Sequence, residues 1–287
     1  MTFRWRVLTA RVPDALDDEI AMVLGDGSLG VEVAASGPGM SELRVYLGSS
    51  DDVEAWRERA ARVLDAHGLG PAASRLAIDP VADGRWVERW QASLSPIPLG
   101  TRFVVMPVEG GSAGDGREPI RLIPGMAFGT GEHATTRLCA GAVEQRVAPG
   151  SRWLDLGTGT GLLAIIAARC GASRVLAVDC DPEAVEVASC VVAANAADDV
   201  VEVRPGSIAE TAGEKFDGIV ANIQSSFFIA SAAALAGALT EGGALVASGF
   251  LDDDVPEVTS ALGAAGMRVT SLSSLGPWVC LVSRRET

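Results

Sequence analysis

Lysine is nearly missing from this chain: of 23 lysines and arginines in 287 residues, only Lys215 is a lysine. Histidine is scarce too, with His67 and His133 alone. Five cysteines occur, an odd number, and no two stand as Cys-x-x-Cys. Two histidines and scattered thiols argue against a zinc or iron–sulfur centre, so no metal site is expected. An odd count also argues against a disulfide framework and for free, largely buried thiols in a reducing cytoplasm. No run of 18 uninterrupted apolar residues occurs, so no membrane span is expected. The start, Met1-Thr-Phe-Arg-Trp-Arg-Val-Leu8, lacks the apolar core of a signal peptide. A basic face is lacking as well. The net charge of −14 argues against a nucleic-acid partner, because phosphate binding needs clustered cations. An acidic surface suits either a basic protein partner, by steering, or solubility alone.

What is there centres on residues 153–179. Trp153-Leu-Asp155-Leu-Gly157-Thr-Gly159-Thr-Gly161 runs into the apolar stretch Leu162–Cys170 and then Val175-Leu-Ala-Val-Asp179. This predicts a buried strand, a glycine turn, an apolar helix, and a second buried strand ending in an acid. Glycines at 157, 159 and 161 allow a sharp turn and close approach of a ligand. The following helix aims its first amides into that turn. Asp179 is placed to accept hydrogen bonds from two ribose hydroxyls. A dinucleotide site wants Gly-x-Gly-x-x-Gly, and Leu162 stands where its third glycine belongs. The spacing, with Asp155 two residues before the first glycine, resembles motif I of class I methyltransferases, which bind S-adenosylmethionine.

The remainder of the chain fits around this unit. Strands over 3–12, 30–35, 42–48 and 76–78, with helices over 15–24 (Asp14 as cap) and 52–66, give a βαββαβ order. That order predicts a small four-stranded, ferredoxin-like α+β domain over 1–80. A linker helix over 81–95, carrying Trp86 and Trp90, leads into a domain over 96–287, and Pro96 and Pro98 end that helix. Strands are expected at 102–107 and 120–123. A glycine-rich loop then enters a helix over 136–147 that Thr135 or Thr136 can cap. Asp181-Pro182-Glu183 is a helix start with cap, first-position proline and first-turn acid. Strand Val200–Val203, strand Phe216–Ala221, helix 226–239, strand Gly243–Gly249, helix 254–265 and strands 267–273 and 278–284 complete a doubly wound α/β sheet. Its ligands belong at the strands' carboxyl ends, where Gly157, Asp179 and Asn222 are expected.

Assembled, these residues resemble the PrmA family of ribosomal protein L11 methyltransferases over nearly the whole chain. The likeness rests on Trp86-Val-Glu-Arg-Trp90 with Pro96-Ile-Pro98, the loop Phe128-Gly-Thr-Gly131-x-His133-x-Thr135-Thr136, motif I, Val178-Asp179-x-Asp181-Pro182, and Asn222-Ile223. It implies an S-adenosylmethionine site formed by Phe128, Thr130, Thr136, Asp155, Gly157, Gly159, Asp179 and Asn222. Asn222 is also the candidate catalytic group, and His133 is a candidate base or, more simply, a loop hydrogen-bonding residue. The implied reaction methylates lysine side chains or an α-amine of a basic ribosomal protein, free of the ribosome, in the cytoplasm. Glu132 and Ala134 replace the family's usual threonine and proline, and Gln224 replaces its leucine, which leaves open how the acceptor is held. The single lysine fits avoidance of self-methylation, but GC-rich coding accounts for it more simply.

For a lysine, deprotonation at pH 7 costs roughly 4.6 kcal/mol, and for an α-amine about 1. A desolvating pocket with acceptors lowers that cost, and alignment supplies most of the rate gain. The rival readings are a nicotinamide-dependent oxidoreductase, disfavoured by Leu162, a non-catalytic donor-binding module, and the same chemistry on another protein or a small amine.

Overall fold

Alternation of apolar residues organises the first part of the chain. The computed structural model describes residues 6–25, 28, 30–47, 52–70, 75–80, 96–107, 116–122 and 130–286. The chain divides into two compact units, Met1–Ala92 and Ser93–Thr287. In the first, strands β1 (Arg6–Pro13), β2 (Gly30–Ala35), β3 (Met40–Leu47) and β4 (Ala77–Pro80) form an antiparallel sheet of order β2-β3-β1-β4. Helices α1 (Asp17–Gly25) and α2 (Val53–Ala66) lie between them in sequence. Every second residue of β1 and β3 faces inward, so Leu8, Ala10, Val12, Leu43, Val45 and Leu47 pack with Ile20, Leu24, Trp56, Ala60 and Leu64. This is the ferredoxin-like arrangement expected from the βαββαβ order. Asp52 caps α2 by accepting from the Glu54 and Ala55 amides. Asp14, expected to cap α1, does not. The helix begins at Asp17, and the Asp14 and Asp17 carboxylates instead share the Ser41 hydroxyl at 2.8 and 2.6 Å.

The second unit holds two sheets. Strands β5 (Ile97–Leu99), β6 (Phe103–Pro107) and β7 (Glu118–Leu122) make a small one, with β5–β6 antiparallel and β6–β7 parallel. Sequence reading missed β5 because Pro96 and Pro98 mark a break; a three-residue strand at a sheet edge tolerates proline. The linker helix expected over 81–95 lies outside the described residues.

The large sheet contains β8 (Arg152–Leu156), β9 (Arg174–Asp179), β10 (Val201–Pro205), β11 (Phe216–Asn222), β12 (Leu239–Leu251), β13 (Met267–Leu275) and β14 (Trp278–Arg285), in the order β10-β9-β8-β11-β12-β14-β13. Helices α3 (Ala134–Glu144), α4 (Leu162–Arg169), α5 (Pro182–Ala194), α6 (Ser225–Ala238) and α7 (Val255–Ala264) accompany it. The strands from β10 to β12 are parallel, and β14 runs antiparallel to both its neighbours. Parallel strands covered on both faces must be apolar throughout. Successive residues therefore serve opposite cores: Trp153, Val175, Ala177 and Val220 on one side, Leu154, Leu176, Val178 and Ile219 on the other. Strand order reverses between β8 and β11, and the carboxyl ends of those strands flank the crevice where such sheets take ligands.

All five cysteines are free, as expected, but they are not largely buried. Cys139 and Cys280 are buried, whereas Cys180 and Cys190 are exposed.

Candidate active site

The glycine turn is built as the sequence predicts, with Gly157, Gly159 and Gly161 at φ of 68°, 53° and 79°. Side chains rarely adopt that region of backbone space. The Gly157 and Thr158 amides both donate to the Val178 carbonyl, at 2.9 and 3.0 Å, which clamps the turn to β9. Gly161 is the N-cap of α4 and has no side chain to satisfy the helix amides. Asp155 does this from the strand below. Its Oδ2 accepts from Thr158 Oγ1 at 2.7 Å and from the Ala164 amide at 3.0 Å.

Asp155 is only 1% exposed. Burial raises its pKa from the ordinary 3.8 to about 7, and the nearby Asp179 charge adds to that rise; the Thr158 and Ala164 hydrogen bonds oppose it. Its carboxylate is thus directed into the turn, as a brace beneath the expected donor site.

Asp179 ends β9 at the rim of the crevice. Oδ2 accepts the Gly159 amide at 2.9 Å and Oδ1 accepts the Asp181 amide at 3.1 Å. Each oxygen takes one backbone donor and retains a further lone pair. Two further hydroxyls, such as a ribose diol, match that remaining capacity. Asp181 begins α5 as expected, capping the Glu183 amide at 2.9 Å ahead of Pro182.

Asn222 ends β11 across the switch point. Its Nδ2 donates to Thr136 Oγ1 at 3.4 Å. Its Oδ1 is buried and, among the described residues, accepts no hydrogen bond. A buried carbonyl oxygen left this way costs about 1–3 kcal/mol, which marks a position suited to a donor from a bound molecule. The backbone below is rigidly held. The Ile223 amide donates to the Ser248 carbonyl at 2.9 Å, and a Cβ on Gly249 would stand 2.6 Å from the Ile223 carbonyl oxygen.

Thr135 and Thr136 do not cap α3, contrary to expectation. Both are 1% exposed and lie inside its first turn. The cap is His133, whose Nδ1 accepts from the Thr135 amide at 3.3 Å and lies 2.7 Å from the Thr135 hydroxyl. His133 therefore satisfies a loop hydrogen bond, one of the two roles expected of it. Thr130 is half-buried, and a Cβ on its neighbour Gly131 would touch Val105, Leu99 and Leu162, so the loop backbone rests against the start of α4. Phe128 lies outside the described residues.

The structure adds one residue that sequence reading did not select. Trp278 is 1% exposed, meets the His133 ring edge-on at 4.7 Å between centroids, and has no hydrogen-bond partner for Nε1 among the described residues. It begins β14, and only the antiparallel setting of that strand returns it to the crevice. Spacing along the chain carries no sign of that reversal. Among the described residues no group of three or more histidine, cysteine, aspartate or glutamate side chains converges as a metal site would.

A doubly wound sheet of this order, with a glycine turn after its first parallel strand and an acid ending the second, defines a class I S-adenosylmethionine-dependent methyltransferase. The family described as ribosomal protein L11 methyltransferase (PrmA) matches residues 31–286, and the chain belongs to it. A ribosomal protein L11 methyltransferase of Pelotomaculum thermopropionicum is 39% identical over 255 residues, 88% of this chain and 82% of that protein. Another, from Pelobacter propionicus, is 34% identical over an alignment of 313 positions that covers 99% of both chains. The crystal structure of a ribosomal protein L11 methylase from Lactobacillus delbrueckii subsp. bulgaricus superposes with a TM-score of 0.61 at 29% identity, covering 68% of this chain and all of that one.

The brace has a measurable consequence. A carboxyl whose folded pKa lies above its unfolded value favours the folded state at low pH, and loses that advantage as pH rises from near 4 toward 7. Asp155→Asn keeps an oxygen for Thr158 and Ala164 without the charge. Its stability relative to wild type should rise by about 3 kcal/mol between pH 5 and pH 8, read from denaturant unfolding at both values. A pH-independent difference would show that Asp155 does not titrate in this range.

Proposed function

We propose that this protein transfers methyl groups from S-adenosylmethionine to amines of ribosomal protein L11, on lysine side chains, the N-terminal α-amine or both. One observation carries the transfer chemistry: Asn222, whose buried Oδ1 has no partner among the described residues, stands across the strand-order switch from the turn that Asp179 holds. The acceptor comes from the relatives, whose names specify ribosomal protein L11. A net charge of −14 suits a basic acceptor, met free of the ribosome in the cytoplasm. Among the described residues no helix is long and apolar enough to cross a membrane.

In this reading Asp179 takes the ribose hydroxyls, and the backbone of Gly157 and Gly159 leaves room for the nucleoside. Thr136 and Thr130 close the opposite side, and Asp155 keeps the turn in shape. Bound S-adenosylmethionine supplies an electrophilic methyl on a sulfonium. Asn222 Oδ1 would accept a hydrogen bond from the neutral acceptor amine and so orient the nitrogen lone pair toward that methyl, with the amine's lost proton passing to solvent. The crevice favours the neutral amine by desolvation, which offsets part of the roughly 4.6 kcal/mol needed to deprotonate a lysine at pH 7. Holding donor and acceptor in line supplies the larger share of the rate.

Incubation with S-adenosylmethionine and purified ribosomal protein L11, followed by mass spectrometry, should show methylated amines; an unmodified L11 beside another methylated protein would reassign the acceptor. Asp179→Ala should weaken donor binding by about 1.5–3 kcal/mol in calorimetry, the scale of hydrogen bonds to a charged group. Asn222→Ala should lose more turnover than donor affinity. Equal losses in both quantities would make Asn222 a donor-binding group only.

The N-terminal unit is the further part of this proposal: residues 1–80 recognise the acceptor, and 81–95 link them to the transfer site in 96–287. A chain beginning at Asp83 should then bind S-adenosylmethionine normally and fail to modify L11. Full activity of that truncated chain would remove the recognition role.

A further inference from the structure

A groove of about 350 Å³ lies beside the crevice, lined by Pro98, Gly100, Arg117, Arg137, Leu138, Ser274 and Leu275. Three contacts fix its place. Arg137 follows Thr136, the residue bonded to Asn222. Leu275 pairs with Trp278 at the end of the β13–β14 hairpin, and Trp278 meets the His133 ring at the cap of α3. The groove therefore lies along α3, with Arg137 one residue beyond the Thr136 that bonds Asn222.

Its lining is basic, with no carboxylate among the described residues that form it. The chain carries a net charge of −14, yet two guanidinium groups line this one depression. Arg117 Nη1 donates to the Gly100 and Phe103 carbonyls and so stiffens the floor. Arg137 is exposed, and among the described residues no ion pair or side-chain hydrogen bond engages it. The neighbouring carboxylate is already committed: Glu144 accepts from the Thr101 amide and hydroxyl. Among the described residues most other arginines are held, for example Arg152 and Arg204 by Glu214, Arg174 by Glu202, and Arg169 by Glu118. Leu275 is 40% exposed and supplies an apolar wall.

We propose that this groove seats an acidic side chain of the protein acceptor, with an apolar neighbour of that residue against Leu275, and so sets which amine reaches Asn222. The inference rests on the reading that the site modifies a protein amine. A broadly negative surface attracts a basic protein in every orientation and cannot select a register by itself. A local positive groove selects through the few acids such a partner carries. A guanidinium also fixes the angle of a carboxylate through its paired donors. The volume lies at the lower end of small-ligand sites, about 300–1,000 Å³, which suits side chains rather than a folded segment.

Two measurements decide it. The first titrates the full-length protein with acetyl-Leu-Glu-amide and acetyl-Leu-Gln-amide at equal concentration, following arginine Nε–H signals by NMR. The Arg137 signal is identified by its loss in Arg137→Ala. It should shift with the glutamate dipeptide and not with the glutamine one; equal shifts, or none, overturn the proposal. The second compares Arg137→Glu with wild type on ribosomal protein L11. KM for the acceptor should rise about tenfold or more, the scale of a lost charge-assisted hydrogen bond, with donor affinity unchanged. An unchanged KM overturns the role in acceptor selection even if the dipeptide binds. Wild-type protein that never methylates L11 would refute the reading of function, while the dipeptide titration still decides the groove.

Discussion

The site depends on a carboxylate that almost never meets water. Asp155 sits at the end of β8 with one oxygen shared between the Thr158 hydroxyl and the Ala164 amide. Three left-handed glycines within five positions are costly to order, because glycine loses the most backbone freedom on folding. The hydrogen bonds to Asp155 and to the Val178 carbonyl hold that turn in a single shape. Once the turn is set, the Gly159 amide reaches Asp179 and α4 starts with its amides facing the crevice. Burial raises the Asp155 pKa to about 7, which lessens the cost of holding the group in an apolar core.

From that turn outward, topology determines which residues meet. Reversal of strand order between β8 and β11 sets Asn222 opposite the turn, and β14, antiparallel to its neighbours, returns Trp278 to the same end. The Asn222–Thr136 bond ties β11 to α3, and the His133 cap with its edge-on contact to Trp278 ties α3 to β14. Charge acts at two ranges. In the proposed function the overall negative surface would steer a basic acceptor at long range, and the arginine groove beside α3 would orient it at contact distance.

Most of this was legible in the sequence wherever one residue type had a single physical use. The glycine spacing, the apolar run after it and the acid at 179 specify strand, turn, helix and strand with little competition. Asp181-Pro182-Glu183 likewise announced α5, which starts where expected. What escaped depends on contacts distant in the chain. The β5 strand carries prolines that read as breaks, and its identity comes from pairing with β6. Asp14 has the composition of a cap, but a serine 27 positions away claims it. Thr135 and Thr136 also look like caps, until His133 takes the role and both pack inward. Trp278 could not be assigned to the site without knowing the direction of its strand.

The central claim is that a methyl donor lies across the carboxyl ends of β8, β9 and β11, with its ribose on Asp179 and its methyl toward Asn222. A crystal structure of the protein with S-adenosylmethionine tests this most directly. The account predicts both ribose hydroxyls on the Asp179 carboxylate, the nucleoside over the Gly157–Gly161 turn, and the sulfonium methyl facing the side of the crevice where Asn222 and Trp278 stand. A donor bound elsewhere, or bound here with Asp179 free of the ribose, would contradict it.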